Sequence, residues 1–367
     1  MRELRVLCLC NRLLGNSTFS KTLKKVIDGI PFISAEYVFL DSKDYFRHPA
    51  PEYFRISKSA ETLWVIKQKI KSVDFARYDL IVAQGFEMAW ALKGRAKGIP
   101  CIMFNDATPV ISHRLIFQYY DKIFWRLRSL LFIFIYKYFF HNIFNHVNIC
   151  LPRTTWCAKS LMRDFGVDSE KIYVCSPAVD IFVWKPKSTS EKNERIRLLF
   201  VGNDFERKGG RQLLRIYGSL SQDVDLYIVS NDPVLEELNL KQGVQHLRDI
   251  PYNELPEIFQ EADIFIFPTL KEHLGMVQVE AAACGLPIIS RDVGGINDIV
   301  KDGYNGYLLP YHSSEEQWVE KIQYLINHPE ERRRMGANSR KLAEEMFSME
   351  RFEKTIRQAI DKALKNE

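Results

Sequence analysis

The sequence predicts an α/β protein with two domains, each built on a doubly wound parallel sheet. A chain of 367 residues is too long for one ordinary core and fits two domains of roughly 150–200 residues. Short apolar runs such as LLFV and IFIF show no polar alternation, which is typical of parallel strands buried on both faces. Amphipathic helical patterns lie between these runs, and repeated strand–helix units imply right-handed crossovers.

The apolar runs predict the strands in order along the chain. In the first half we expect strands at residues 4–10, 80–83, 101–104, 148–151 and 172–175. In the second half we expect them at residues 197–201, 225–229, 264–267 and 287–290. Helical patterns occur at residues 17–30, 254–262 and 314–326, and residues 349–364 form a last amphipathic helix.

A polar segment, KPKSTSEKNE at residues 185–194, separates the two halves. It contains Pro186 and has no apolar periodicity, so we interpret it as a linker. The predicted domains are residues 1–184 and 197–345, joined by a linker over residues 185–196. A C-terminal segment follows over residues 346–367.

Composition and charge restrict the class of protein. Hydrophobic residues make up 46% of the chain and charged residues 26%, which excludes disordered and fibrous classes. Residues 1–184 carry 26 Lys and Arg against 16 Asp and Glu, a net charge of +10, whereas residues 185–367 carry 25 against 30, a net charge of −5. The basic half suits a partner that bears phosphates, such as an anionic membrane surface, a phosphorylated acceptor or nucleic acid, or is simply a solvated basic surface.

The cysteines and the N-terminus indicate a cellular compartment. The seven cysteines include no CxxC pair, which argues against a disulfide framework or a zinc site and suits a reducing compartment. The apolar run at residues 4–10 is too short for a signal peptide and is better explained as a buried strand. We therefore expect a cytoplasmic protein.

One apolar segment leaves two interpretations open. Residues 129–136, SLLFIFIY, lie between Arg128 and Lys137 and are too few to span a membrane, which takes roughly 20 residues. The segment, continued to Phe140, is either a buried helix of the first domain or an aromatic helix lying on the inner face of a membrane.

Two glutamates in the second domain are the main candidates for a functional site. The predicted strand at residues 264–267 is followed by the loop TLKEHLGM and then by a helix that ends at Gly285. Ligands of doubly wound sheets bind at the carboxyl ends of strands, and the amides of a helix N-terminus attract phosphate. Glu272 precedes this helix and Glu280 lies in it. Either alone could be an ordinary surface or helix carboxylate, but Glu280 begins the apolar run EAAACGLPI, where an unpaired carboxylate is costly to bury.

A second loop of the same domain carries two cations. In FVGNDFERKGG, residues 200–210, Arg207 and Lys208 stand before a glycine pair and a predicted helix. Two cations at a helix start fit a diphosphate clamp, although such a pair is also common on surfaces. The spacing of a Walker loop is absent. A second glycine pair, Gly294 and Gly295, forms a third loop that also follows a strand and is expected to open a helix beside the same site.

Together these segments resemble the retaining glycosyltransferases of the GT-B class, family 4. The family carries a Glu-x7-Glu motif, which Glu272 and Glu280 match in spacing, with the EAxACGxP continuation. Its lysine–glycine clamp is matched by Lys208 and Gly209, with Arg207 adjacent. The resemblance is specific over residues 197–345 and only topological in the first domain.

The resemblance implies a fold and a set of roles. GT-B enzymes have two Rossmann-like domains facing a cleft, a first domain that binds the acceptor, and a last helix that crosses back to it. Glu272 would contact the donor sugar, Glu280 would hold the ribose hydroxyls, and Arg207 with Lys208 would neutralise the diphosphate in place of a metal or other cofactor. The implied donor-binding positions are Gly202, Gly209, His273, Leu274, Gly275, Met276, Val277 and Glu280.

The first domain departs from the family pattern. The loop after the first strand has only Gly15 where many relatives are glycine-rich, and FNDATP stands where many carry a histidine. Asp106 in that segment either binds an acceptor hydroxyl or caps a turn before Pro109. His113 lies close by in the sequence, but a lone histidine is more often structural.

The predicted function is transfer of a sugar, with retention, from a nucleotide-sugar donor to an acceptor, without a metal. The acceptor is expected to be a glycan or a lipid-linked saccharide of cell-surface polysaccharide synthesis. The rivals are a sugar-nucleotide epimerase, a phosphorylase, which lacks support because nothing suggests a pyridoxal lysine, and a non-catalytic scaffold of the same fold. A nucleic-acid partner is not expected, because no recognisable motif is present.

Overall fold

The computed structural model describes residues 3–365 except 13–15, 52–57, 120–122, 188–194 and 221–223. Gly15 and most of the predicted linker lie outside the described residues. Among the residues it describes, the strands are β1 Leu4–Asn11, β2 Ile33–Leu40, β3 Leu80–Gln84, β4 Cys101–Asn105, β5 Ile149–Pro152, β6 Ile196–Val201, β7 Val224–Val229, β8 Val244–Leu247, β9 Ile264–Phe267, β10 Ile288–Arg291 and β11 Gly306–Leu309.

Helices connect most of these strands. They are α1 Asn16–Asp28, α2 Ser42–Arg47, α3 Lys58–Lys69, α4 Phe86–Ala91, α5 Pro109–Tyr119, α6 Ile123–Phe140, α7 Thr155–Phe165, α8 Gly210–Gly218, α9 Leu255–Gln260, α10 Met276–Ala283, α11 Glu315–Asn327, α12 Pro329–Met346 and α13 Met349–Lys365. Local chemistry sets several of their ends. The Thr154 side chain accepts a hydrogen bond from the Cys157 amide at 3.0 Å and caps α7, which ends at Gly166 in the left-handed conformation.

Two parallel sheets confirm the predicted α/β class. The first has the order β2-β1-β3-β4-β5 and the second the order β11-β10-β9-β6-β7-β8. All the strand pairs in both sheets are parallel. If the six strands of the second sheet are numbered 1 to 6 along the chain, starting at β6, their order in the sheet is 3-2-1-4-5-6, the arrangement of dinucleotide-binding folds. The strands of the first sheet have the order 2-1-3-4-5, as in flavodoxin-like folds.

The contacts divide the chain into two compact units. The first unit contains residues 1–177 and 352–367, and the second contains residues 178–351. Residues 178–187, which we assigned to the first domain and the linker, cluster with the second unit because Trp184 packs on Phe259 at 5.3 Å between ring centroids. Arg340 also donates hydrogen bonds to the Ile181 and Trp184 carbonyls. From Phe352 onward, α13 clusters with the first unit, where Phe352 lies 5.8 Å from Phe19.

The structure differs from the predicted strands at four places. Residues 172–175 form no strand, and only an isolated bridge joins Ile172 to Cys150. Three strands, β2, β8 and β11, were not predicted. All seven cysteines are free and buried, in agreement with the predicted absence of disulfides.

Helix α6 carries an exposed apolar face. Its exposed residues are Leu127, Leu130, Leu131, Phe134 and Tyr138, which are 54–76% exposed. Their spacing of three and four residues places them on one side of the helix. The segment is therefore not the fully buried helix that one interpretation of the sequence required. Within the described residues, no helix is both long enough and apolar enough to cross a membrane.

Candidate donor-binding site in the second unit

The loop that carries Glu272, residues 268–275, is called the glutamate loop below. It lies at the carboxyl end of a central strand, as predicted. Strand β9 ends at Phe267, and α10 begins after Gly275, whose φ of 86° is left-handed. A side chain at Gly275 would place its Cβ 2.6 Å from the Gln278 side-chain nitrogen. Only glycine therefore fits this turn without displacing its neighbours, and the turn presents the first amides of α10 at the end of the loop.

A second loop, between β6 and α8, carries Arg207 and Lys208. Asp204 adopts a φ of 62°, and its carbonyl accepts the Lys208 amide at 3.0 Å. Gly209 has a φ of 79°, and a Cβ there would lie 2.1 Å from the Pro268 carbonyl oxygen. The backbone of this loop therefore lies directly against the start of the glutamate loop.

Hydrogen bonds join these two loops. The Leu270 amide donates to the Arg207 carbonyl at 2.9 Å, and Arg207 Nη1 donates to the Lys271 carbonyl at 2.6 Å. Arg207 Nε also pairs with Asp204 Oδ2 at 2.5 Å. These contacts orient the Arg207 guanidinium between the two loops.

Lys208 and Glu272 form a largely buried ion pair. The Lys208 ammonium donates to Glu272 Oε2, and each side chain is 15% exposed. Arg207 Nη1 lies 3.9 Å from the same oxygen. Burial by itself raises the pKa of Glu272, but the charge and hydrogen bond of Lys208, with Arg207 and His273, lower it below its ordinary value. Glu272 is therefore a carboxylate at neutral pH, held beside two cations.

The structure places Gly202 and His273 beside this pair and the other predicted positions along the same loop and α10. Gly202 follows β6, and a Cβ there would lie 3.3 Å from Lys208 Cγ. The His273 amide donates to Glu272 Oε1 at 3.1 Å. The predicted phosphate-binding residues Leu274, Met276 and Val277 flank Gly275 at the start of α10.

Glu280 has the opposite environment. It is 3% exposed on α10, and its carboxylate accepts a hydrogen bond from Tyr252 Oη at 2.8 Å. Burial raises the pKa of Glu280 to about 7, an effect that the Tyr252 hydrogen bond partly offsets. The two glutamates therefore differ in charge state: Glu272 is stably anionic, whereas Glu280 titrates near neutrality.

Glu280 is expected to make the stability of the second unit depend on pH. Its folded pKa lies above the unfolded value, so its contribution is fully present below the unfolded pKa and is lost as the pH rises through about 7. The shift from 4.5 to about 7 corresponds to about 3 kcal/mol. We expect Glu280→Gln to reduce the pH dependence of the unfolding free energy between about pH 5 and about pH 8, as measured by denaturant titration at each pH. The exposed Glu254→Gln should keep the wild-type slope, and an unchanged slope in Glu280→Gln would contradict the assignment.

The third loop, residues 292–295, follows the neighbouring strand β10 and packs against the glutamate loop. Gly294, with a φ of 64°, follows β10, and a Cβ there would lie 2.0 Å from the Glu272 carbonyl oxygen. The Gly295 amide donates to the His273 carbonyl at 2.9 Å. The helix predicted after this glycine pair is only a short 3-10 turn, Ile296–Asp298. The loop therefore positions the Glu272 backbone but offers no long helix N-terminus.

Asp106 lies in the first unit, just after β4. Arg153 Nε pairs with Asp106 Oδ1 at 2.6 Å, and Arg153 is 4% exposed with its guanidinium 3.5 Å from the centroid of the Phe19 ring. Thr108, rather than Asp106, caps the start of α5, because its hydroxyl accepts the Ile111 amide. Asp106 therefore forms an ion pair with Arg153 and does not cap this turn.

Three residues of these sites were missed in the sequence. Asp204 and Arg153 pair with predicted site residues, and Tyr252 bonds to Glu280. No motif marks them: Arg153 is a lone arginine after a strand, and Tyr252 is one of 16 tyrosines. His113 stacks on Phe132 of α6 with ring centroids 5.4 Å apart, consistent with a structural role.

Comparisons with known proteins show what this chain is similar to. Residues 183–342 match the family model of the glycosyl transferases group 1. A D-inositol 3-phosphate glycosyltransferase of Paenarthrobacter aurescens is 28% identical over 200 residues, which are 49% of this chain and 49% of that protein. The chain thus spans about half the length of this curated relative.

Solved structures of GT-B type share the fold over nearly the whole chain. A sucrose-phosphate synthase from Thermosynechococcus elongatus superposes with a TM-score of 0.79 at 16% identity, covering 100% of both chains. Anabaena HepE in complex with UDP-glucose superposes with a TM-score of 0.69 at 15% identity, covering 98% of this chain and 100% of that one. Residues 183–342 are therefore similar to the glycosyl transferases group 1, and the chain has the GT-B fold.

Proposed function

We propose that this protein transfers a sugar from a nucleotide-sugar donor to an acceptor hydroxyl, with retention at the anomeric carbon. The observation that carries the proposal is the cluster of Arg207, Lys208 and Glu272, which two hydrogen-bonded loops hold beside the start of α10. A relative of the same fold, Anabaena HepE, has been solved with UDP-glucose, which supports a donor of this class.

The cluster suggests how the donor is held. Arg207 and Lys208 neutralise the diphosphate, and the amides from Leu274 to Val277 bind its oxygens at the helix N-terminus. Negative charge grows on the diphosphate as the sugar–phosphate bond breaks, and fixed cations in a largely buried site stabilise that charge strongly. In this proposal the two side chains provide the neutralisation that a divalent metal provides in other transferases.

The two glutamates take different roles because their environments differ. Glu272, anionic beside Lys208, contacts the donor sugar near the reacting carbon. Glu280, buried on α10, accepts hydrogen bonds from the ribose hydroxyls, and these bonds satisfy a carboxylate that is otherwise costly to ionise.

The acceptor is proposed to bind the first unit. Asp106 accepts a hydrogen bond from the acceptor hydroxyl, and Arg153 keeps that carboxylate oriented through their 2.6 Å contact. We propose a glycan or lipid-linked saccharide as the acceptor, within cell-surface polysaccharide synthesis on the cytoplasmic side of a membrane.

Transfer is tested by thermal-shift screening with uridine, guanosine and adenosine diphosphates and their sugars, followed by product analysis. Binding of one nucleotide sugar that is lost in Glu280→Ala supports the donor site. Donor turnover without any acceptor indicates the rival epimerase, and binding without turnover over a broad acceptor panel indicates a non-catalytic scaffold. Wild-type binding in Glu280→Ala would show that the site is misassigned.

An anionic membrane is the partner proposed for the exposed face of α6. That face consists of Leu127, Leu130, Leu131, Phe134 and Tyr138, and the half of the chain that contains it has a net charge of +10. An exposed apolar stripe in the basic half of the chain fits a helix lying in the interface of anionic lipids.

Liposome flotation tests this membrane partner. We expect the wild type to float with vesicles containing phosphatidylserine or phosphatidylglycerol, and less so as salt rises. The double variant Leu130→Glu/Phe134→Glu should lose most of this binding, at least tenfold, because burying each side chain is worth about 1.5–3 kcal/mol. Phe182→Glu, which changes an 83% exposed phenylalanine of the second unit, is the control. Equal flotation of all three proteins would exclude α6 as the contact.

A further inference from the structure

Tyr252 lies beside Glu280 although the two residues are 28 positions apart. It stands in the loop between β8 and α9, with 49% of its surface exposed, whereas Glu280 is 3% exposed. The phenol donates to Glu280 Oε1 at 2.8 Å. The tyrosine thus joins the outer surface of the second unit to one oxygen of a buried carboxylate.

The tyrosine ring is held by a rigid framework. Trp184, itself 3% exposed, lies 5.6 Å from the Tyr252 ring and 5.3 Å from Phe259 of α9, measured between centroids. Arg340 Nη1 donates to the carbonyls of both Trp184 and Ala283 at 2.8 Å, and Ala283 is the last residue of α10. The segment that supports Tyr252 is therefore tied to the helix that carries Glu280.

We propose that Tyr252 is a positioning residue for the nucleotide, which fixes one oxygen of Glu280 and leaves the other to accept the ribose hydroxyls. The inference rests on the proposed role of Glu280. A carboxylate has two oxygens with about four acceptor positions, so a phenol on Oε1 leaves Oε2 available to a diol. Because the tyrosine already holds the carboxylate in one rotamer, the carboxylate loses less conformational entropy when the nucleotide binds.

The hydrogen bond also affects the charge of the carboxylate. The pKa of Glu280 is raised to about 7 by burial although the Tyr252 bond opposes that shift. Removing a bond to the charged form raises the pKa further, so less of the carboxylate is ionised at neutral pH. The other titratable neighbours stay neutral in this range, because burial, with Glu280, raises the pKa of Cys284 to about 12 and that of Tyr252 above its ordinary value. Arg340 is engaged with backbone carbonyls.

The test compares Tyr252→Phe with the wild type in calorimetric binding of uridine, guanosine and adenosine diphosphates. For the nucleotide that binds, we expect about 3–10-fold weaker affinity near pH 7, the usual worth of one hydrogen bond. In Tyr252→Phe the pH below which the affinity falls should be higher than in the wild type. The substitution should also weaken the 2′-deoxyribose and 3′-deoxyribose forms less than the ribose form. Tyr307→Phe, a half-buried tyrosine of β11 at the sheet edge, is the matched control.

Three results would overturn the proposal, and they separate it from the assignment of the donor site. If Glu280→Gln loses the preference for ribose while Tyr252→Phe keeps both the affinity and the pH profile, Glu280 binds the nucleotide without help from Tyr252. If Tyr252→Phe weakens ribose and deoxyribose forms equally, its role is only structural. If the wild type binds none of the three diphosphates, the donor site and this inference both fail.

Discussion

Lys208→Ala is expected to slow sugar transfer by about 10²–10³-fold, the usual effect of removing one group that stabilises charge in a transition state. Lys208 is 15% exposed and packs beside Phe267, with its ammonium 5.0 Å from the ring centroid. In such partly desolvated surroundings a fixed cation is worth more than in water. Steady-state turnover with the donor identified by screening gives the measurement.

Loss of Lys208 has a second consequence, on folding. Glu272 keeps Arg207, 3.9 Å away, and the His273 amide, but this largely buried carboxylate loses its nearest cation. Breaking one side of such a pair commonly destabilises by about 3–5 kcal/mol, and the remaining exposure reduces that figure here. Folding and transfer are distinguished by measuring the unfolding free energy of Lys208→Ala and by assaying its transfer at a temperature where the variant is fully folded.

Arg211→Ala provides the control for this prediction. Arg211 stands three residues further along α8, pairs with Glu206 and is 47% exposed. Its removal should leave turnover near that of the wild type, because exposed pairs contribute about 0–1 kcal/mol. Wild-type turnover in Lys208→Ala would mean that the diphosphate binds elsewhere.

The fold could be predicted where strands are buried on both faces. β1, β3, β9 and the other central strands are continuous apolar runs, and the sequence locates them to within one or two residues. The three missed strands, β2, β8 and β11, all lie at sheet edges. β2 alternates over ISAE before its apolar run YVFL and is mostly half-exposed, and β11 begins with a glycine, so both patterns are less uniform than those of the central strands. An edge strand is determined by its neighbour in the sheet more than by its own composition.

The site could be predicted where function depends on local spacing. Glu272, Arg207 and Lys208 stand near glycines and helix starts, and Glu280 begins an apolar run at the motif spacing from Glu272; such patterns are visible in one sequence. Tyr252 and Arg153 reach their partners across 28 and 47 positions, and only the fold brings those positions together. The difference in charge state between the two glutamates likewise depends on burial, which the motif does not encode.

Gly294→Ala is expected to disable the donor site although Gly294 carries no side chain to touch the donor. Its φ of 64° places an added Cβ 2.0 Å from the Glu272 carbonyl oxygen and 3.3 Å from that of His273. Both obstacles are backbone atoms, so the glutamate loop itself must move. A displacement on the order of 1 Å at a reacting group can cost about 10²-fold in rate.

The matched control is Gly303→Ala. Gly303 has a similar left-handed φ of 71°, but an added Cβ there meets nothing within 4 Å. Both variants therefore include the left-handed strain of about 1–2 kcal/mol, and only Gly294→Ala adds a steric clash, typically about 1–3 kcal/mol. Unfolding free energies measure both costs, and transfer rates measure whether the clash displaces Glu272. If the two variants lose equal stability and retain equal activity, the contact between the third loop and Glu272 does not position the proposed catalytic carboxylate. A selective loss of transfer in Gly294→Ala would instead show that backbone contacts among the three adjoining loops position the groups of the site.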